Sequence, residues 1–364
     1  MNNLTLTQAS TSRASIEYLS GSATCTSGTT IMGDVILGAG GLSLTSGCTI
    51  NGDLWTSNTV SIQSGEVTGN VNAAGVQSGL SVSLSTSAVV DGNVYAAGPV
   101  SSGGKVGGNV VAGPATGQSS FSNQSSVGGS VVSAGTVSAA AGAVKGTITT
   151  NRSGIVTPTI PVVPPWIDYA YSASDWKTSS GAPYSLLTMT ACDATSLSNA
   201  LVTVQNSLTP IILDTRTCGA VTDLRFYNLV LTSDIVIVAN GLNLGSNNIQ
   251  ASSAPDKRLW FIIPDTVPDN HPTCPVGSST TISNHVQVGP HVAAMLYSPC
   301  PVSNHGDVWT GQMYASSISS SDSFTLNYLP LGLPTVNLST GQLIPPPGTG
   351  VLGGRTSIRD LVVG

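Results

Sequence analysis

The chain has 364 residues, of which 8% are charged and 40% are apolar, and its net charge is -6. An ordinary globular domain carries about 25% charged residues, so this surface must be built largely from Gly, Ser, Thr and Asn. No basic cluster can neutralise a row of phosphates, which excludes a nucleic-acid partner, and the patterned apolar residues exclude a disordered polymer.

Residues 1–20 are read as a short helix stub. Leu4, Ala9, Ile16 and Leu19 give a weak apolar stripe, and Arg13 and Glu17 lie four apart. The start is polar, unlike a signal peptide, and no run of 18 apolar residues exists. Two readings stay open: the stub continues a removed N-terminal membrane helix, or it is a frayed terminus.

Residues 21–154 repeat one unit seven times: apolar, any, Gly, any, apolar. It begins as Ile31-Met32-Gly33-Asp34-Val35 and ends as Val144-Lys145-Gly146-Thr147-Ile148. The glycines Gly33, Gly52, Gly69, Gly92, Gly108, Gly129 and Gly146 are 16 to 23 residues apart, the period of a stacked β-solenoid. Glycine there allows coils to approach where a side chain would not fit. The residue after it runs Asp34, Asp53, Asn70, Asn93, Asn109, Ser130, Thr147. By parity this is an outward column, suited to an amide ladder. Asp34 and Asp53 are also a thin candidate for calcium, with too few further oxygen ligands.

Residues 155–184 form a Pro- and aromatic-rich strap. Pro158, Pro161, Pro164 and Pro165 favour extended backbone and interrupt strand pairing. Trp166, Tyr169, Tyr171 and Trp176 follow. The bland reading is rings that cap a solenoid end; the functional alternative is a ligand-stacking patch for carbohydrate.

Residues 185–345 read as a second β-rich or β-helical unit. Strand-like runs are Thr209 to Asp214, Leu229 to Ala239, Arg258 to Pro264, His291 to Cys300 and Ser323 to Pro330. A short helix is expected around Leu197 to Val204, capped by Asp193 or Ser196. Residues 346–364 are a Pro- and Gly-rich tail. Two copies of Ser-Asn-His, Ser283 to His285 and Ser303 to His305, are twenty residues apart and would stack on adjacent coils. With His291 and Asp307, the histidines His285 and His305 are weak metal candidates; the favoured reading is a polar ladder at a turn. No resident cofactor is expected, and no catalytic residue is assigned. GxSxG and phosphate-loop patterns are missing, and Asp223 with Arg225, or Asp256 with Lys257 and Arg258, read as solvated pairs.

The six cysteines fall into three local pairs, Cys25 with Cys48, Cys192 with Cys218 and Cys274 with Cys300, separated by 23, 26 and 26 residues. Neighbouring coils lie about 4.8 Å apart, within the Cα range of disulfides, about 4.4–6.8 Å. None has CxxC spacing, so disulfides, and with them an extracytoplasmic location, are expected.

The Gly repeats resemble bactofilin-type bacterial β-helices, although those are cysteine-poor. The chain also resembles the ectodomain of PilX-like type IV pilus assembly proteins. The residues behind this are Leu4 to Ala14, Pro165 to Trp176 of the strap, Pro210 to Asp214 before Cys218, Leu296 to Cys300 and Trp309 to Ala315. The family's hydrophobic N-terminal helix and processing site are missing from this sequence. The fold expected is all-β: a right-handed parallel β-helix, a second β-helical unit and the helix stub. The resemblance implies a non-enzymatic, pilus-associated protein of the cell surface, minor pilin or tip-adhesin-like. Its partners would be other pilus or envelope subunits, with surface glycans or host and abiotic surfaces as ligands. The alternatives are a carbohydrate-binding or carbohydrate-cleaving β-helix and a self-polymerising scaffold.

Overall fold

A chain rich in Val, Thr and Ser and poor in Glu, Lys and Arg has little to stabilise helices and much to fill pleated surfaces. The computed structural model describes residues 1, 3–8, 14–26, 28–251, 256–289, 291–320, 322–338, 340, 342–343 and 360–361. The protein is all-β, with short parallel strands stacked coil on coil as a β-solenoid. Two compact units divide it, one built on Ser15–Val163 and one running from Pro164.

In the first unit each coil presents three faces. One begins with Ala23–Cys25 over Leu42–Leu44, and the second with Thr30–Ile31 over Cys48–Ile50. The third stacks Val35, Leu54, Val71, Val94, Val110, Val131 and Ile148 in register. The repeated apolar pair flanks the corner between the second and third faces. Ile31 ends one strand and Val35 lies in the next, and both are fully buried. The motif is therefore a corner, not a stretch of one strand. A Cβ on Gly69 would lie 2.5 Å from the Gly52 carbonyl oxygen and 2.3 Å from Asp53 Oδ1. The same clash, at 2.4 Å from the Gly69 oxygen, recurs at Gly92. The glycine column is thus required by approach of the next coil, as the spacing predicted.

The expected ladder runs beside it. Asp34 Oδ1 accepts from Asp53 N at 2.7 Å, and Asp53 Oδ1 from Asn70 N at 2.7 Å. Asn70 Oδ1 accepts from Asn93 N at 2.9 Å, Asn93 Oδ1 from Asn109 N at 2.8 Å, and Asn109 Oδ1 from Ser130 N at 2.8 Å. Ser130 Oγ closes the series on Thr147 N at 3.1 Å. The side-chain oxygen of each coil satisfies a corner N–H that the sheet ladder cannot reach.

The expected N-terminal helix stub does not form in the described residues. Leu4–Gln8 and Ala14–Tyr18 are strands, and residues 9–13 lie outside the described residues. Thr5 and Leu6 pair with Thr30 and Ile31. A short isolated helix is marginal in water, whereas a strand here gains backbone partners and buries Leu6.

The second unit is built the same way from larger side chains. Leu213, Ile237, Phe261, Leu296 and Met313 stack in register. Strands such as Ile235–Val238 and Val292–Ser298 are buried on both faces. The helix α1, Ala194–Gln205, forms where it was predicted, with the Asp193 carboxylate accepting from Thr195 N and Ser196 N. Its Leu197, Ala200, Leu201 and Val204 are buried, and it packs on the strands Ile211–Asp214 and Leu229–Leu231.

All three cysteine pairs are bridged, with Cα separations of 5.8, 5.2 and 4.5 Å. The first bridge is diagonal: Cys25 stacks on Leu44, whereas Cys48 stacks on Gly65. It ties the first face of one coil to the second face of the next. No described helix is long and apolar enough to cross a membrane.

Candidate functional site

The aromatic strap is not a ligand-stacking patch. Trp166, Tyr169 and Trp176 are at most 2% exposed. Trp166 packs on Tyr297 and Tyr314, with ring centroids 5.4 and 4.7 Å away, and its Nε1 donates to Asp265 Oδ2 at 2.9 Å. The Tyr314 hydroxyl accepts from Ile167 N at 3.1 Å, and the Tyr297 hydroxyl from Tyr169 N at 3.0 Å. Trp176 meets Trp260 edge-on at 5.0 Å. Tyr171 is partly exposed, but Arg216 lies over its ring at 5.0 Å. Nor do these rings cap a coil end. They lie against the outer side of strands whose other side lines the core, because Tyr297 and Tyr314 sit in register on consecutive coils. The strap is the second half of a sandwich that a large apolar outer face needs.

The metal candidates also separate. Thr281 pairs with Ser303 and Ile282 with Asn304, so the two Ser-Asn-His copies are out of step by two residues. Ser283, not His285, therefore falls beside His305. Each histidine finds a different carboxylate: His285 Nδ1 lies 3.5 Å from Asp307 Oδ2, His291 Nδ1 2.9 Å from Asp256 Oδ1, and His305 Nδ1 2.9 Å from Asp322 Oδ2. Among the described residues no three His, Cys, Asp or Glu converge as a metal site. In the Asp34 and Asp53 candidate for calcium, one oxygen of each is engaged by the ladder.

The local charge pairs are structural. Asp214 accepts from Arg216 Nε and Nη2 at 2.9 and 2.6 Å beside Cys218. Burial works against ionising Asp214, but the Arg216 hydrogen bonds and charge outweigh it and hold its pKa below the usual value. Asp223 grips Arg225 in the same bidentate manner, at 2.8 and 2.6 Å. Asp256, Lys257 and Arg258 do not act together: Asp256 faces His291, while Arg258 Nε donates to Asp234 Oδ2 at 2.9 Å.

Two surface features remain. The first is a hydroxyl column on the first unit. Thr24, Ser43, Ser61, Ser83, Ser101, Ser120 and Ser138 occupy one outward position on seven successive coils. None of the seven is buried. At about 4.8 Å per coil this is an uncharged, evenly spaced row. Sequence reading centred on glycine missed it, although a hydroxyl sits at the centre of each tripeptide Ala23–Cys25, Leu42–Leu44, Val60 to Ile62 and Val82 to Leu84. The second is an open cleft of about 380 Å³ on the second unit, lined by Arg225, Phe226, Ser283, Asn284, His285 and His305. Asp322, which partners His305, carried no sequence signal because the register of the following coil brings it there.

No known protein family, curated protein or solved structure matches this chain.

Proposed function

We propose that this protein is an extracytoplasmic structural and adhesive component of a bacterial pilus or cell-envelope assembly, similar in role to a minor pilin or tip adhesin. The hydroxyl column on seven coils carries this reading. A periodic, rigid, uncharged surface suits contact with a repeating ligand, a surface glycan or an abiotic solid, through many weak hydrogen bonds at once. The disulfides support the location: three bridges fit an oxidising compartment outside the cytoplasm. They also stiffen the coils, since closing loops of this size contributes about 3.5 kcal/mol each on the chain-entropy model. A carbohydrate-binding role through the strap loses its support, because the rings are covered.

The test uses the native host. The protein is sought in the sheared surface fraction with its cysteines oxidised, and its adhesion is compared with that of a variant carrying Ser61→Asp, Ser83→Asp and Ser101→Asp. The expected result is surface recovery and a loss of adhesion of at least tenfold with unchanged melting. A cytoplasmic protein with six free thiols, or a variant that adheres as before, would refute the reading.

A further inference from the structure

Beyond the scaffold role, we propose that Ser303, His305 and Asp322 form an activated-serine site that hydrolyses small esters at the edge of the cleft on the second unit. Ser303 Oγ lies 3.1 Å from His305 Nε2, and His305 Nδ1 lies 2.9 Å from Asp322 Oδ2. That order matters. A carboxylate at Nδ1 holds the ring proton there, so Nε2 keeps its lone pair for the serine hydroxyl. The residues come together for reasons of backbone. Ser303 and His305 are two apart along extended chain and so share a side. Asn304 between them is buried, and its Oδ1 accepts from Gly306 N at 3.0 Å. His305 N donates to Ile282 O at 2.6 Å, which fixes the backbone carrying the ring.

The other Ser-Asn-His copy supplies an internal contrast. His285 has a left-handed backbone, φ 63°, and its side chain is 77% exposed. It meets Asp307 at 3.5 Å but makes no described hydrogen bond to Ser283. The same tripeptide therefore assembles the three-part chain in one coil and not in the other.

His305 is among the residues that line the cleft. Phe226, 75% exposed, lies in the same cleft lining and offers an apolar wall for an acyl or aryl group, while the Arg225 guanidinium there is already paired with Asp223. In the reaction, Ser303 Oγ attacks the ester carbonyl carbon while its proton passes to His305 Nε2. The tetrahedral adduct collapses, the C–O bond breaks, and the leaving oxygen takes that proton and departs as the alcohol. Water then adds to the acyl-serine, giving its proton to Nε2. Collapse returns this proton to Ser303 and releases the carboxylic acid. Ser303 and His305 are the catalytic residues, and Asp322 is a positioning residue.

The experiment treats the full, oxidised chain with a fluorophosphonate probe, locates the label by peptide mass spectrometry, and follows p-nitrophenyl acetate hydrolysis. Ser303 should carry the label in preference to the exposed serines of the hydroxyl column. Ser303→Ala should abolish labelling and hydrolysis without changing the melting temperature. His305→Gln should slow both by about 10²-fold or more, and Asp322→Asn should lower the rate and shift its pH profile. Ser153→Ala, at an exposed serine outside both the cleft and the hydroxyl column, should leave both unchanged. An unlabelled Ser303, label spread evenly over surface serines, or a His305→Gln variant reacting at the parental rate would overturn the proposal.

Discussion

The two units solve one problem with different materials. In the first, coils are packed by subtraction: glycine at the corner between the second and third faces lets the next coil's backbone come into contact, and the small outward residues of the first face leave a plain surface. In the second, coils are packed by addition. Aromatic side chains on the outer face of Val292–Ser298 and Val308–Ala315 must be covered, and the strap covers them. A solenoid can thus be stabilised by omitting Cβ atoms at a corner or by adding a layer. The first choice leaves a regular face free for contact, whereas the second uses that face for stability.

The largest expected effect tests the added layer. Trp166→Ala should cost about 4 kcal/mol, because it empties a buried site and leaves Asp265 Oδ2 without the indole donor. Hydrogen exchange should accelerate in the second unit while the first stays protected. Next is the subtracted corner. Gly69→Ala forces the added Cβ against the Gly52 carbonyl and Asp53, and should cost about 3 kcal/mol. Its exchange signature should be the reverse, centred on coils 50–75. If both variants loosen both units equally, the units are one cooperative body and the comparison fails.

A smaller effect probes the ladder. Asn93→Ala removes the acceptor for Asn109 N and the donor to Asn70 Oδ1, and should cost about 1 kcal/mol. Asn93→Asp keeps the acceptor and should cost less, so chemical denaturation should rank the two below the parent in that order. Equal losses would show that the side-chain donor, not the acceptor, matters.

The smallest effects come from pH. Asp193, hydrogen-bonded by Ser196, Asp214, held by Arg216 against its burial, and Asp223, held by Arg225, all have lowered pKa values in the second unit. Carboxylates lowered on folding give stability that is present above the unfolded value, about 3.9, and is lost as pH falls through the folded ones. Asp168, raised by burial, works in the opposite sense. At the alkaline end burial pushes Tyr171 up to about 12 and raises Tyr169, Tyr184 and Tyr297, against Tyr18, also about 12, in the first unit. Raised groups give stability present below the unfolded value, about 10, and lost as pH rises further. The second unit should therefore melt earlier than the first both below about pH 4 and above about pH 10. Thermal scans with unit-specific exchange would check it, and parallel losses would count against the assignment.

Much of the architecture was legible because the repeat carries its own reason. An apolar pair around glycine, recurring at coil length, needs a stacked neighbour to make sense, and Asp34 to Thr147 follow it as a column. The cysteine pairs were legible for the same reason, one coil being the right distance for a bridge. Asp193 announced α1 as a cap. The first twenty residues were misread because a weak helical stripe and a strand alternation share Leu4 and Ile16, and only pairing with Thr30 and Ile31 chooses between them.

What the sequence by itself determined is local and periodic: corners, ladder, bridges and class of fold. Register and covering belonged to the tertiary structure. A two-residue offset between coils gave His285 and His305 different carboxylates, Asp307 and Asp322. An outer layer turned Trp166, Tyr169 and Trp176 from surface rings into core. Both outcomes depend on which residues face each other across coils, and coil lengths that vary from turn to turn do not encode that in any single stretch of chain.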